Sequence, residues 1–216
     1  MEHPVDGTFV IEQRCAQLHE HEPERTGGDA GGCTGGLAVE TQVTTSYLEL
    51  RSAEEFTPSA TEVPGLEIRE AGIACPELGR FLYTVVGRAW RWTDRLSWPY
   101  STWLAHLERP EVELWIAYQD GVIAGYVELE RQPEESVEIA YFGLLRQFMG
   151  RGIGGFLLSD TVERAFRTGA KRVWLHTCSL DSPQAMENYR ARGFKLFKEE
   201  TTLVDVPPAP PDAEVW

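Results

Sequence analysis

An α/β domain on a mixed sheet is predicted by three features of the sequence. Asp120-Gly121 stands between two alternating apolar runs, Glu111 to Tyr118 and Val122 to Glu130, and reads as the turn of a β-hairpin. A glycine-rich stretch, Gly150 to Gly155, separates an apolar strand pattern from a helical one. Strand and helix patterns then alternate to the end, so antiparallel pairing comes first and a βαβ unit later.

The elements follow in order. Val43 to Leu50, rich in Thr, Tyr and Leu, is a first strand, and Ser52 to Gly65 is a linker marked by Pro58 and Pro64. Leu66 to Glu70 alternates apolar and charged residues, as a half-buried strand does. Leu78, Phe81, Leu82, Val85, Val86 and Ala89 recur at helical spacing, and Ser101 to Leu107 is a second, shorter helix. After the hairpin, Val137 to Leu145 is a long apolar strand carrying one acid, Glu138. A helix spans about Gly152 to Thr168, with Leu158, Val162, Ala165 and Phe166 on one stripe and Gly169 as its stop. Arg172 to Thr177 is a strand. The last helix runs from about Pro183 to Arg192, with Ser182 as N-cap and Gly193 at its end. Phe194 to Val204 closes the domain with one or two strands.

Composition bounds the function. With 216 residues, 42% of them hydrophobic, the chain holds one domain of ordinary core size plus tails. Residues 1–40 read as a disordered, glycine-rich acidic arm, 41–206 as the folded domain and 207–216 as a proline-rich tail. No apolar run approaches the roughly 20 residues that span a bilayer, so no membrane partner is expected. The polar, acidic start carries no secretory pattern, and the setting expected is cytoplasmic. A net charge of −14 repels phosphate backbones, which argues against nucleic acid as a partner. Cys15, Cys33, Cys75 and Cys178 have neither disulfide-framework nor zinc spacing. His19 and His21 read as part of a solvated tail, so no metal is expected.

The chemistry concentrates in the glycine loop. Glycines tolerate positive φ and let backbone amides approach a ligand at the start of a helix, where phosphate is favoured. Gly150, Gly152 and Gly155 also spell a dinucleotide-binding fingerprint. That reading expects an acid at the tip of the next strand, and the first one, Asp181, comes late. A P-loop would need a Lys that this loop lacks. The plain alternative is a tight strand–helix turn.

Gln147-Phe148-Met149-Gly150-Arg151-Gly152 resembles the Q/R-x-x-G-x-G/A signature of the Gcn5-related N-acetyltransferase (GNAT) superfamily. Tyr189, followed by three residues and Gly193-Phe194, resembles the end of that family's last helix. The element order from Leu66 to about Val204 is also similar. The resemblance implies a GNAT-type mixed, mostly antiparallel central sheet with helices on both faces. It implies acetyl-CoA as co-substrate, its pantetheine held by the backbone at Leu144 and Leu145. The phosphates would lie on the loop formed by Gln147, Phe148, Met149, Gly150, Arg151, Gly152, Ile153 and Gly154. Met149 departs from the pattern, since a basic residue is frequent there. Tyr189 matches the family's general acid, the alternative being a packing tyrosine. Many members dimerise, so a homodimer is among the expected assemblies.

An alkylammonium cannot attack a thioester, so transfer to an amine needs a base. Glu138 is the candidate, because a carboxylate in an apolar strand is costly unless paired or functional. Ala140 and Phe142 are expected to share its face. The alternative is a solvated acid at the strand start. Glu128 and Glu130 are reserves, and His176 is either a proton carrier or a structural histidine. Trp90, Trp92, Trp98, Tyr100 and Trp103 crowd the join of the first two helices. They form either an aromatic core or an acceptor wall, with Asp94 able to pair with an ammonium. The expected activity is acetyl-CoA-dependent N-acetyl transfer by direct attack of a primary amine, on a small molecule or a peptide. The alternative is a catalytically weak acyl-CoA-binding sensor.

Overall fold

The structure, a computed structural model, describes residues 39–206. The arm up to residue 38, with Cys15, His19, His21 and Cys33, and the 207–216 tail lie outside the described residues.

Among the described residues, seven strands and four α-helices follow one another as β1 (Val39–Leu50), β2 (Leu66–Glu70), α1 (Pro76–Gly87), α2 (Tyr100–Leu107), β3 (Val112–Gln119), β4 (Val122–Gln132), β5 (Ser136–Leu144), α3 (Ile153–Arg167), β6 (Arg172–Cys178), α4 (Pro183–Ala191) and β7 (Lys195–Val206). The strands make one sheet in the order β2-β3-β4-β5-β6-β1-β7. Every neighbouring pair is antiparallel except β5 and β6. The β3–β4 hairpin turns on Asp120 and Gly121, at φ 51° and 81°, the left-handed pair that a two-residue hairpin requires.

Alternation along the strands feeds a core on each face of the sheet. On one side Val127, Leu129, Ile139 and Leu175 meet Leu157 and Leu158 of α3 and Tyr189 of α4. On the other, Ile116, Tyr126 and Tyr141 meet Leu82 and Tyr83 of α1 and Trp103 of α2. Each such buried aliphatic or aromatic side chain contributes about 1.5–3 kcal/mol, so the two layers clamp the sheet between them.

Four details refine the sequence reading. β1 begins at Val39, inside the segment assigned to the arm, and it lies between β6 and β7. Leu48 and Leu50 are fully buried there, as an interior strand permits. β7 is a single strand with an irregularity near Phe197, and it takes the sheet edge. Its Lys195, Lys198, Glu199 and Glu200 suit an edge, where charge discourages further strand addition. Ser182 occupies the N-cap of α4, but its hydroxyl donates to Gln184 Oε1 at 2.6 Å rather than capping the helix.

The fourth detail concerns β5. Glu128 pairs with Tyr141 and Leu129 with Ile139, leaving Ala140 as a bulge. The extra residue reverses the alternation. Glu138 and Tyr141 therefore share the α1–α2 side, while Phe142 packs on the α3–α4 side against Tyr189, ring centres 6.3 Å apart. Phe142 does not share the face of Glu138.

Candidate active site

β5 and β6 pair only from Ser136↔Arg172 to Glu138↔Trp174. Beyond that point β5 follows β4 through its bulge, while β6 follows β1, with Tyr47 opposite His176. The strand ends part, and a cleft of about 630 Å³ occupies the gap. Tyr141 to Leu144 form one wall, His176 and Cys178 the other, and Ala185, Asn188 and Tyr189 of α4 close the α3–α4 side. Segment 90–94 covers the opposite end.

The glycine loop is the rim of this cleft. Gly150 and Gly152 have φ of 71° and 81°, which side chains rarely adopt, and Gly152 is the N-cap of α3 with no side-chain hydrogen bond. The first amides of α3 thus have no capping side chain at the cleft mouth, where the helix end favours an anion. Of the ten residues assigned to the co-substrate, Leu144, Met149, Gly150, Gly152 and Gly154 line the cleft. The side chains of the others do not. Phe148 and Ile153 turn into the core, Leu145 packs between the two layers, and Gln147 and Arg151 are exposed away from the lining. Phe142, Gly143 and Gly155 line the cleft and were not foreseen. Gly143, a glycine at a strand end, was the available signal for close approach of a ligand.

Tyr189 is 6% exposed, its ring held between Phe142 and Phe194. Burial first, then the charge of Asp181, push its hydroxyl well above the usual phenol range. It therefore keeps its proton at neutral pH. Glu138 is 5% exposed, which removes the solvated-acid alternative, and it is not part of the cleft lining. Gln132 Nε2 donates to its Oε2 at 2.9 Å, and Trp174 Nε1 donates to Gln132 Oε1 at 3.0 Å. His176 Nδ1 stands 3.5 Å from Glu138 Oε1, and His176 does line the cleft. Neither reserve acid reaches the site, since Glu128 binds Arg95 and His106, and Glu130 accepts from Arg109 at 2.7 Å. Among the described residues no group of three His, Cys, Asp or Glu is arranged for a metal ion. No described helix is long and apolar enough to cross a membrane.

A family model described as "Acetyltransferase (GNAT) family" matches residues 79–194, a span holding both the glycine rim and Tyr189. The chain belongs to the GNAT family. An uncharacterized N-acetyltransferase of Mycobacterium tuberculosis is 32% identical over 91 residues, covering 42% of this chain and 58% of that protein. A mycothiol acetyltransferase of Corynebacterium aurimucosum is 28% identical over 173 residues, covering 70% of this chain and 55% of that protein. The chain thus spans little more than half the length of these curated relatives. Among solved structures, a GCN5-related N-acetyltransferase from Kribbella flavida aligns with TM-score 0.55 at 18% identity, over 77% of this chain and 60% of that one. A GCN5-related N-acetyltransferase from Sphaerobacter thermophilus aligns with TM-score 0.52 at 22% identity, over 80% and 53%. These two likenesses establish the fold.

In this GNAT chain the aromatic stretch divides between core and site. Trp92, Trp98 and Trp103 pack with Tyr83, Tyr126 and Tyr141 over the sheet, while Tyr100 is 58% exposed. A Cβ on Gly87 would fall 2.4 Å from Trp92, so the end of α1 accepts the indole only because a glycine stands there. The chain reverses at Arg91, φ 58°, and this presents Trp90, Arg91, Trp92, Thr93 and Asp94 to the cleft. The aromatic-core reading holds for Trp92, Trp98 and Trp103, and Trp92 also lines the cleft beside Trp90.

Proposed function

We propose that the chain is an acetyl-CoA-dependent N-acetyltransferase acting on a primary amine. The observation that carries the reading is the continuity of one cleft from the glycine rim at α3, through the β5–β6 gap, to the Tyr189 hydroxyl and the His176 imidazole. The rim fits the co-substrate, because Gly150, Gly152, Gly154 and Gly155 leave room for phosphates close to the backbone. Bound there, acetyl-CoA supplies an acetyl group activated as a thioester. Leu144, Met149 and the glycine amides hold it, and the parted strand ends admit the pantetheine arm.

The remaining work falls to two side chains. The attacking nitrogen must be uncharged, and the ordinary alkylammonium pKa of about 10 means that a proton must leave it. His176 takes that proton in the cleft, with Glu138 behind it to balance the imidazolium. Glu138 is thus a positioning residue rather than the group that touches substrate. As the nitrogen–carbon bond forms and the carbon–sulfur bond breaks, Tyr189 gives its proton to the departing thiolate.

Calorimetric titration with acetyl-CoA, with NADH as control, is the first test, followed by an amine screen read as released thiol. Micromolar acetyl-CoA binding with amine-dependent thiol release is the expected result. Binding of NADH alone, or of neither, overturns the proposal.

A further inference from the structure

Arg192 is the C-cap of α4, and its side chain reaches the first turn of α3. Its Nη2 lies 2.6 Å from the position that a Cβ on Gly155 would take, so any side chain at 155 would push the guanidinium aside. Gly155 lines the cleft at the glycine rim, and Arg192 stands against it from behind the lining. The linker between β1 and β2 holds the arrangement from the other side. Thr57 N donates to Arg192 O at 3.1 Å, Ser59 N donates to Ser159 Oγ at 2.8 Å, and Ser59 Oγ lies 3.2 Å from the same Cβ position.

The guanidinium is under-used where it stands. Nη1 donates to Ala191 O at 3.3 Å, and among the described residues this is its only hydrogen bond. Nε is shut off from solvent with no acceptor, and no carboxylate pairs with the side chain among the described residues. An arginine that served only the end of α4 would turn to that helix's last carbonyls. This one gives them one long bond and extends to α3. There it meets the positive end of a helix dipole, which repels a cation. A guanidinium and a helix N-terminus facing one place are a poor arrangement by themselves and a good one around an anion. The loop's own basic residues leave that role open. Met149 lines the cleft without a charge, while Arg146 and Arg151 are exposed and outside the lining, Arg151 lying over the Phe148 ring at 5.8 Å.

We propose that Arg192 is the cation that holds the diphosphate of acetyl-CoA on the glycine rim, supplying from the end of α4 the charge that Met149 does not supply from the loop. The proposal rests on the acetyl-CoA reading. The diphosphate lies between the first amides of α3 and the guanidinium, so α3 and α4 grip the co-substrate together.

The test uses the full chain and three probes titrated by calorimetry: acetyl-CoA, its dephospho form, which lacks the 3′-phosphate, and S-acetylpantetheine, which carries no phosphate. Arg192→Gln should weaken acetyl-CoA and its dephospho form alike, by about tenfold. S-acetylpantetheine should bind wild type and variant equally. The salt dependence of acetyl-CoA binding should be shallower in Arg192→Gln than in wild type. Arg192→Lys, which keeps the charge, should retain most of the affinity. Arg192→Met, uncharged and of similar reach, should behave as Arg192→Gln, so the outcome does not hang on the folding of one variant. Undiminished acetyl-CoA affinity in a folded Arg192→Gln or Arg192→Met protein overturns the proposal. An equal loss for S-acetylpantetheine does so too, since the cleft would then be disturbed as a whole. A loss confined to acetyl-CoA and absent from its dephospho form would move the contact to the 3′-phosphate and overturn the assignment to the diphosphate. Acetyl-CoA that fails to bind wild type sinks the acetyltransferase reading itself, whereas binding indifferent to Arg192 sinks this proposal alone.

Discussion

His176 Nδ1 lies 3.5 Å from Glu138 Oε1 at the place where β5 and β6 stop pairing, and of the two side chains only the histidine opens onto the cleft. The carboxylate is further tied to Gln132, itself tied to Trp174. An imidazole so placed has one ring nitrogen facing an acid while its ring borders the cleft.

The consequence is a graded pair of variants. His176→Ala should lower kcat by about 10²–10⁴-fold, the range of general base catalysis, and leave acetyl-CoA affinity unchanged. Added imidazole should restore part of the rate, which a merely structural role would not allow. Glu138→Gln should cost less, and its loss should appear in kcat rather than in KM for acetyl-CoA. Equal rates in wild type and His176→Ala would remove the histidine from the mechanism.

Tyr189→Phe tests the other proton. Phe keeps the packing against Phe142 and Phe194, so the melting temperature should stay close to that of wild type. The hydroxyl lost is one whose proton is held firmly by burial. Steady-state rates should fall by about 10²–10⁴-fold while calorimetric binding of acetyl-CoA persists. A variant as fast as wild type would make Tyr189 a packing residue only.

How far these side chains were legible depended on how local their constraints are. The Asp120-Gly121 hairpin could be read because two adjacent residues must take positive φ. The places of the glycine rim and Tyr189 on the cleft could be anticipated from short stretches of fixed spacing that resemble family motifs. The place of β1 could not, because Tyr47 pairs with His176 and Lys198, both more than a hundred residues away. The bulge at Ala140 leaves no mark in an apolar run, yet it decides that Phe142 meets Tyr189 while Glu138 turns to His176. Asp94 was visible as an acid among tryptophans, but its two tyrosine donors come from α1 and β5 and converge only in the folded chain.

Gly154→Ala should separate co-substrate binding from folding. A Cβ at Gly154 meets nothing nearer than Leu144 Cδ1 at 3.6 Å, an ordinary contact, and Ala is favoured over Gly in a helix by up to about 1 kcal/mol. Stability should hold or rise. The added methyl stands on the rim, however, and acetyl-CoA affinity measured by calorimetry should fall about tenfold, or about 1.4 kcal/mol. Gly152→Ala is the poorer test, since φ of 81° and a Thr61 Cγ2 only 2.6 Å away strain the backbone whatever the rim binds. Undiminished affinity in Gly154→Ala would place the phosphates elsewhere.

The Arg95–Glu128 pair lies beside the 90–94 segment of the cleft, and its electrostatics predict an acid-sensitive fold. Burial alone would raise the Glu128 carboxyl, but the Arg95 charge and the hydrogen bonds from His106 and Arg95 hold it well below the usual carboxylate range. Its folded pKa is depressed, so its contribution is fully present above the unfolded value of about 4.3 and is lost as pH falls from there toward the folded value. Glu128→Gln leaves the buried Arg95 guanidinium without its hydrogen-bonded carboxylate, which should cost about 3–5 kcal/mol near neutral pH in urea unfolding. Arg95→Met combined with Glu128→Gln should recover much of that loss, because no unpaired charge remains. The pH series carries the sign. Wild type should lose stability more steeply than Glu128→Gln between about pH 4.5 and about pH 2.5, so the two curves should converge with acid. Parallel curves would mean that Glu128 does not titrate with folding, and the pair would then be no source of the acid dependence.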